Sequence, residues 1–572
     1  MTLLHVVLAS GAFLAAAYVI YGRFLSRWLN LSPDAPTPAV QMRDGLDYEP
    51  IPPRYLLGQH FSAIAAAGPI VGPVLAGVMF GWAPALLWIL LGAVFVGGFH
   101  DLTALVASVR HRARSIAEVV RENMSRTSYL LFLGFVWLTL VYILVAFTDI
   151  TASSFVGVQT LENGQRVSGG GVATSSVLYL LLAVALGLIL RFTKLPLLPA
   201  TFLFLPLVAL AIWYGQAAPL DLSALLGISQ DTAHKVWDVL LLAYCFGAAV
   251  CPVWMLLQPR GHLGGYFLYA VLLAGAVGVA FGGRTVQFPA FLGWTTAKGD
   301  TLAPFLFITI ACGACSGFHA IVASGTTSKQ LRRETDARPV GYGSMLLEGM
   351  VAVVSLSCVM MLAQRAPALR DPKPNFIYAQ GIGSFMGVVG IPAAFAVSFG
   401  LMAFTTFVYD TLDVCTRLGR YIMQELTGWK DRRGAAFATA VTAAAPLSFL
   451  LQTARDASGA VIPAWKVFWG LFGASNQLLS ALALLCITVW LWRTKRSPLV
   501  WLVTGAPTVL MFVMSTWALG SIVTRSLGAP GVNVAVPAVA LVLMLLAALM
   551  LVEGVRALAA PRSSPQAQPA TP

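Results

Sequence analysis

The chain has 572 residues, of which 58% are hydrophobic and only 10% charged, with a formal net charge of +13. A soluble chain carries about 25% charged residues, so a string of water-facing domains is excluded and lipid must be the solvent for much of the surface. The excess positive charge sits in short gaps between apolar runs, which is a topology signal and not a nucleic-acid surface, since no basic stretch studded with aromatics is present.

A membrane span needs about 20 apolar residues. On that measure, runs lie near 3–21, 59–80, 84–108, 129–155, 174–190, 195–214, 236–257 and 263–283. They continue near 303–325, 340–363, 385–412, 434–452, 466–492, 498–520 and 533–555. The predicted class is an all-α polytopic membrane protein of about fifteen transmembrane helices. The first run lacks a basic leader and a small-residue cleavage site, so it reads as a retained helix. Residues 1–58 then hold the first helix and a Pro-rich loop expected on the cytoplasmic face. Residues 59–492 form the expected transport core, 493–559 the last transmembrane helices, and 560–572 a disordered tail rich in Pro, Ser, Gln and Ala.

Placing the gap 22–58 in the cytoplasm and alternating from there gathers most of the 36 Lys and Arg on one side. Arg23, Arg27, Arg110, Arg112, Arg260, Arg332, Arg333, Arg417, Arg420, Arg493 and Lys495 are among them. This asymmetry predicts an odd number of spans, an outside N-terminus and a cytoplasmic C-terminus. The seven cysteines are scattered and imply no disulfide framework.

Polar groups and helix breaks are costly in lipid, so each is a functional candidate. The run from His60 through Gly68-Pro69-Ile70-Val71-Gly72-Pro73 carries two Gly-Pro pairs in mid-span. Proline removes a donor and clashes with the preceding turn, so a break is expected near Gly68. The half-helix after a break presents free amides to an anion; a packing kink is the plainer alternative. Cys312-Gly313-Ala314-Cys315-Ser316-Gly317-Phe318-His319 is a second candidate break, facing the first, or else a small-residue packing seam. Buried thiols disfavour the thiolate, so redox or metal chemistry is not expected of this cysteine pair.

His100-Asp101 follows a Gly-Gly pair and suits either a proton carrier or a polar pair that fixes helix register. Asp149 falls near the outer end of its span, where it is either solvated at the interface, the favoured reading, or part of an ion path. Thr405 and Thr406 could supply oxygen ligands to a cation or substrate, while the acids from Asp410 onward read equally as a cytoplasmic helix end with ordinary ion pairs. Asp410 and Asp413 share a helix face, with Arg417 one turn beyond as an expected partner of Asp413. Glu348 and Asn476-Gln477 extend the polar set. Phosphate-binding loops, nucleophile elbows and zinc-protease helices are missing from the sequence, so an enzyme or an ATP-driven pump is not expected.

At these motifs the sequence resembles the carbon starvation protein (CstA) family of bacterial inner-membrane transporters. The resemblance rests on Asp44-Gly45-Leu46-Asp47-Tyr48, His60 to Pro73, and Gly98-Phe99-His100-Asp101. It extends through Ser316 to Thr327 with Lys329, Asp413 to Glu425, and Trp469 to Gln477, so it covers roughly residues 40–490. Gln59 stands where members commonly carry a second histidine, and Cys315 where an aliphatic residue is more usual.

The resemblance implies uptake of pyruvate or short peptides, coupled to protons or else to sodium, in nutrient limitation. It also implies a LeuT-type inverted-repeat core with extra helices, whose broken first helices would be the runs at 59–80 and 303–325. On this reading the substrate site comprises Gly68, Pro69, Ile70, Gly72, Ser316, Gly317, Phe318 and His319. The coupling ion would use His60, His100, Asp101, Thr405, Thr406 and Asp410. No cofactor or metal is called for. The partners are the small-molecule substrate, the coupling ion and the lipid bilayer, with the oligomeric state left open. A channel, a membrane nutrient sensor and a membrane enzyme are the competing classes.

Overall fold

A computed structural model describes every residue except 1, 45–47, 162–163, 253, 430, 456–460, 528–534 and 561–572. The middle of the Asp44–Tyr48 motif and the tail beyond Ala560 lie outside the described residues.

Twelve helices among the described residues are long and apolar enough to cross a bilayer. In chain order the elements that matter are α1 (Leu3–Trp28), α2 (Pro53–Ile64), α3 (Gly68–Phe80), α4 (Trp82–Arg110) and α5 (Arg126–Ser153). Next come α6 (Gly169–Phe192), α7 (Leu197–Ala217), α8 (Gln230–Val250) and α9 (Leu257–Phe281). Three short helices follow, α10 (Leu302–Thr309), α11 (Ala311–Ala314) and α12 (Gly317–Gly325). Then come α13 (Glu334–Met360), α14 (Pro374–Gly387), α15 (Ala393–Thr427) and α16 (Arg432–Leu450). The chain closes with α17 (Ala464–Lys495), α18 (Trp501–Leu527) and α19 (Ala535–Ala559).

The twelve become thirteen if α2 and α3, bent by 49° at a short break, count as one span. The figure of about fifteen is therefore not reached on length and hydropathy. The run at 303–325 is broken into three pieces, none long enough alone. The run at 434–452 is a helix of 19 residues that opens on two arginines and is rich in Ala and Thr, hence less apolar. The expected span 385–412 is corrected to two helices, α14 and α15. Gly390, at φ +80°, and Pro392 at the cap of α15 turn the chain between them.

Burial sorts the bundle into an inner and an outer set. The most apolar stretch of α17 is 100% buried, that of α13 89%, α15 78% and α5 72%, whereas α1, α7, α18 and α19 each reach only 33%. On α7, Phe202, Leu203, Leu210 and Trp213 face outward, an apolar surface of the kind that lipid covers. The strands among the described residues are two short antiparallel hairpins, Val158–Thr160 with Arg166–Ser168 and Ala454–Arg455 with Val461–Ile462.

One end of the bundle collects cations over helix C-termini, where they satisfy orphan carbonyls and complement the helix dipole. Arg110 donates to Leu29 O at 2.8 Å and pairs with Glu334 at 2.7 Å. Arg493 reaches Asn123 O and Ala557 O, and Lys495 reaches Trp28 O. Arg417 donates to Ala248 O and Cys251 O, and Arg420 to Ala249 O. So α1, α4, α8, α17 and α19 end on the same side. The Pro-rich loop packs there too, through Ser32 N to Glu334 and Thr37 Oγ1 to Arg332 O. Arg417 is thus not the partner of Asp413, because its guanidinium is spent on the end of α8.

Candidate functional site at two crossed helix breaks

Pro69 has no amide proton and disfavours helical geometry in the residue before it. α2 accordingly stops at Ile64 and α3 starts at Gly68. Between them, Ala65 N and Ala66 N bond back to Phe61 O and Ile64 O. The amides of Ala67 and Gly68 find no acceptor among the described residues. The second break falls at Ile310 and again at Cys315–Ser316.

The two breaks lie against each other. A Cβ on Gly68 would sit 2.3 Å from both Cβ and Sγ of Cys312, and one on Gly72 would sit 2.4 Å from Thr309 O. From the other side, Gly97 brings α4 to Ala314 O, where a Cβ would lie at 2.3 Å. Backbones this close need glycine. Gly97 also ends a π-helical turn, Ala93–Gly97, directly before His100 and Asp101; such turns re-aim the residues that follow. Pro69 and Ile70 are buried beside the crossing. Gly68→Ala is expected to cost ~1–3 kcal/mol through overpacking. The double variant Gly68→Ala/Cys312→Gly should recover thermal stability, and an unchanged melting temperature in the single variant would refute the crossing.

The amide end of α12 is already occupied. Asn476 Oδ1, from α17, accepts from Phe318 N at 3.0 Å and from Ser316 Oγ at 3.2 Å. Its Nδ2 donates to Ser316 Oγ at 3.0 Å and Cys312 Sγ at 3.3 Å. Gly317 permits this approach, since a Cβ there would lie 2.6 Å from Asn476 O. Cys312 and Cys315 are free, buried thiols.

One turn into α12, His319 joins a fully buried ionic run. Asp101 sits between two imidazoles, with His100 Nδ1 at 2.8 Å from Oδ1 and His319 Nδ1 at 2.8 Å from Oδ2. His319 Nε2 faces Glu348 Oε2 at 3.2 Å. All four residues have no exposed surface. His60, one turn before the first break, bonds Thr327 Oγ1 at 2.9 Å and leaves Nε2 buried without a partner. Three helices therefore bring His100, Asp101, His319 and Glu348 into one chain of titratable atoms, with Asp101 and His319 218 residues apart in sequence.

A second buried cluster lies on the other side of α2. Arg260, placed by sequence in a cytoplasmic gap, is instead inside α9 and 0% exposed. It pairs with Asp410 at 2.8 Å and with Asp413, and donates to Tyr244 Oη at 2.5 Å. Ser62 Oγ donates to Asp410 Oδ2 at 2.9 Å, and Tyr244 Oη to Asp413 Oδ2 at 2.8 Å. Thr406 is buried with Oγ1 unpartnered, near Asp410 across Gly264. Thr405 instead bonds Met402 O, at 3.0 Å. One guanidinium thus stands against two carboxylates in the interior.

Asp149 is corrected from the interface to the interior. It is 4% exposed, accepts Trp465 N at 2.8 Å and faces His234. Sequence reasoning missed Arg260, Ser62, Tyr244, His234 and Asp238. Ser62, two residues beyond His60 in the same glycine- and proline-bounded run, was the one with a local signal.

The family profile described as Carbon starvation protein CstA matches residues 2–374 and 367–518. The chain belongs to the carbon starvation protein CstA family. Its CstA relatives include a peptide transporter CstA of Bacillus subtilis, 32% identical over 85% of this chain and 84% of that one. The pyruvate/proton symporter BtsT of Escherichia coli is 30% identical over 90% of this chain and 79% of its own length. The peptide transporter CstA of E. coli is also 30% identical, over 90% and 80%. Among solved structures, a manganese transporter of Eremococcus coleocola aligns with TM-score 0.46 and 14% identity over 91% of this chain and 98% of that one. The twelve candidate spans and the transporter relatives make this family member a multi-pass inner-membrane protein.

Proposed function

We propose that the protein is a secondary active transporter that imports a small carboxylate nutrient, pyruvate or a short peptide, together with protons during nutrient limitation. The observation that carries this reading is the buried run His100–Asp101–His319–Glu348 beside two crossed helix breaks. Imidazole and carboxylate at hydrogen-bond spacing can pass a proton near neutral pH, and ionisable groups at membrane depth mark such paths. The names of the relatives, peptide transporters and a pyruvate/proton symporter, support the same substrates and ion.

In this reading Gly68, Pro69, Ile70 and Gly72 meet Ser316, Gly317, Phe318 and His319 to form the substrate site. The unpaired amides of Ala67 and Gly68 hold the substrate carboxylate. His60, His100 and Asp101 carry the proton, and Thr405, Thr406 and Asp410 line the coupling side. Residues 59–492 form the transport core, an inverted repeat of the LeuT type in which α2–α3 and α10–α12 are the equivalent broken helices. Counting α10–α12 and α16 as crossings returns about fifteen spans, with the cation-rich end in the cytoplasm and the N-terminus outside.

The test is uptake of labelled pyruvate into proteoliposomes under an inward proton or sodium gradient, with di- and tripeptides as competitors. Accumulation driven by the proton gradient and abolished by a protonophore is expected. Gradient-driven peptide entry without pyruvate uptake would assign the peptide branch. Dependence on sodium alone would move the coupling to the Thr406–Asp410 cluster, and binding without movement would make the protein a sensor.

A further inference from the structure

At the end of the bundle opposite the cation-rich one, α5 finishes, α8 begins and α17 begins. Asp149 comes from the last turns of α5, and His234 and Asp238 from the first turns of α8. The spacing of His234 and Asp238, four residues apart, puts both on one helix face. One ligand atom from each of the three side chains lies within 4.8 Å of the other two. His234 Nε2 stands 3.2 Å from Asp149 Oδ1 and 3.0 Å from Asp149 O.

We infer that Asp149, His234 and Asp238 bind one divalent transition-metal cation of the zinc class.

Four arguments carry this. The donor set, one imidazole and two carboxylates, is one that zinc accepts with a fourth position left open. Metal–ligand bonds of about 2.0–2.2 Å set ligand atoms about 3.3–3.6 Å apart in a tetrahedron, and the His234–Asp149 edge is already on that scale. Asp238 is 1% exposed, and its Oδ1 has no hydrogen-bond partner. A plain His234–Asp149 ion pair does not account for that oxygen, because the Nε2–H of His234 is directed at Asp149. The nearest lysine in sequence, Lys235, is committed elsewhere, to Leu451 O and Thr453 Oγ1.

The surroundings suit a metal as well. Trp465 N, the amide of the first turn of α17, donates to Asp149 Oδ2 at 2.8 Å. That fixes the carboxylate so that Oδ1 turns toward His234, the orienting role an outer partner plays at metal sites. The His234 side chain remains 18% exposed, so a cation reaches the cluster from outside the bundle. Bound there, it would fasten α8 to α5 beside the start of the most enclosed helix.

The full-length protein, purified in detergent and stripped with a chelator, is titrated with Co²⁺ and then Zn²⁺. One equivalent of Co²⁺ per chain with visible d–d absorption is expected, displaced by Zn²⁺, with a rise in melting temperature on Zn²⁺ binding. The variant His234→Gln/Asp238→Asn should lose that equivalent and the thermal shift while eluting as a single monodisperse species. The pair on α8 is chosen because Asp149 also holds the Trp465 amide, and its loss would confound binding with folding. No Co²⁺ uptake by the native chain would overturn the assignment. So would the same stoichiometry and spectrum in the double variant.

Discussion

Arg260→Ala is expected to destabilise the protein by about 3–5 kcal/mol, the usual cost of stranding a buried charge partner, and to abolish uptake. Arg260 has no solvent exposure and is the counter-charge of both Asp410 and Asp413. Ser62 and Tyr244 each donate one hydrogen bond to these acids, but neither supplies a charge. The variant would leave two carboxylates facing each other in the interior. Lysine is a poor substitute, because a single ammonium lacks the planar fork that reaches both acids. The triple variant Arg260→Met/Asp410→Asn/Asp413→Asn removes the charges together and should regain most of the melting temperature while staying inactive. Scanning fluorimetry in detergent alongside liposome uptake checks both halves. A native melting temperature for Arg260→Ala would show that the cluster is not electrostatically closed.

The second large effect is expected at Asp101. Asp101→Asn keeps the shape of the side chain but removes the charge shared by His100 and His319. Gradient-driven accumulation of substrate should fall to the level of empty liposomes. Exchange of external for internal labelled substrate, which needs no net proton movement, should persist. That split separates a proton carrier from a residue that only fixes helix register, since a register defect would impair both. Loss of exchange together with accumulation would therefore argue for the structural role. Glu348→Gln should show the same split if the proton path continues beyond His319.

The polytopic helical class and most long spans were legible because a run of about 20 apolar residues leaves little ambiguity, though twelve helices among the described residues, and not fifteen, pass that measure; the first break was legible because Gly68-Pro69 cannot continue a helix. What remained hidden depended on distance along the chain. Charge counting treats every arginine in a short gap as a surface residue, so Arg260 was assigned to a loop, although its partners lie 150 residues away. His234 and Asp238 sit in the first turns of a helix, where polar residues usually meet water, and nothing local shows that Asp149 closes over them. The turn at Gly390–Pro392 was overlooked because apolar residues on both sides made one run out of two helices. Asn476 was noted as polar, but its place on the amides of α12 follows from the crossing of α12 and α17, which no periodicity encodes.

That contact changes how affinity at the second break has to be understood. The carbonyl of Asn476 offers Phe318 N the same lone pairs that a carboxylate would offer. If the proposed substrate site extends from the Ala67 and Gly68 amides to this end of α12, a carboxylate there would not fill an idle donor; it would enter an exchange, one acceptor for another at Phe318 N. Its gain is the difference between a charged and a neutral acceptor, less whatever Asn476 loses when it lets go. A neutral analogue gains nothing from such an exchange, so the side chain would act as a tethered competitor that makes negative charge the condition of entry.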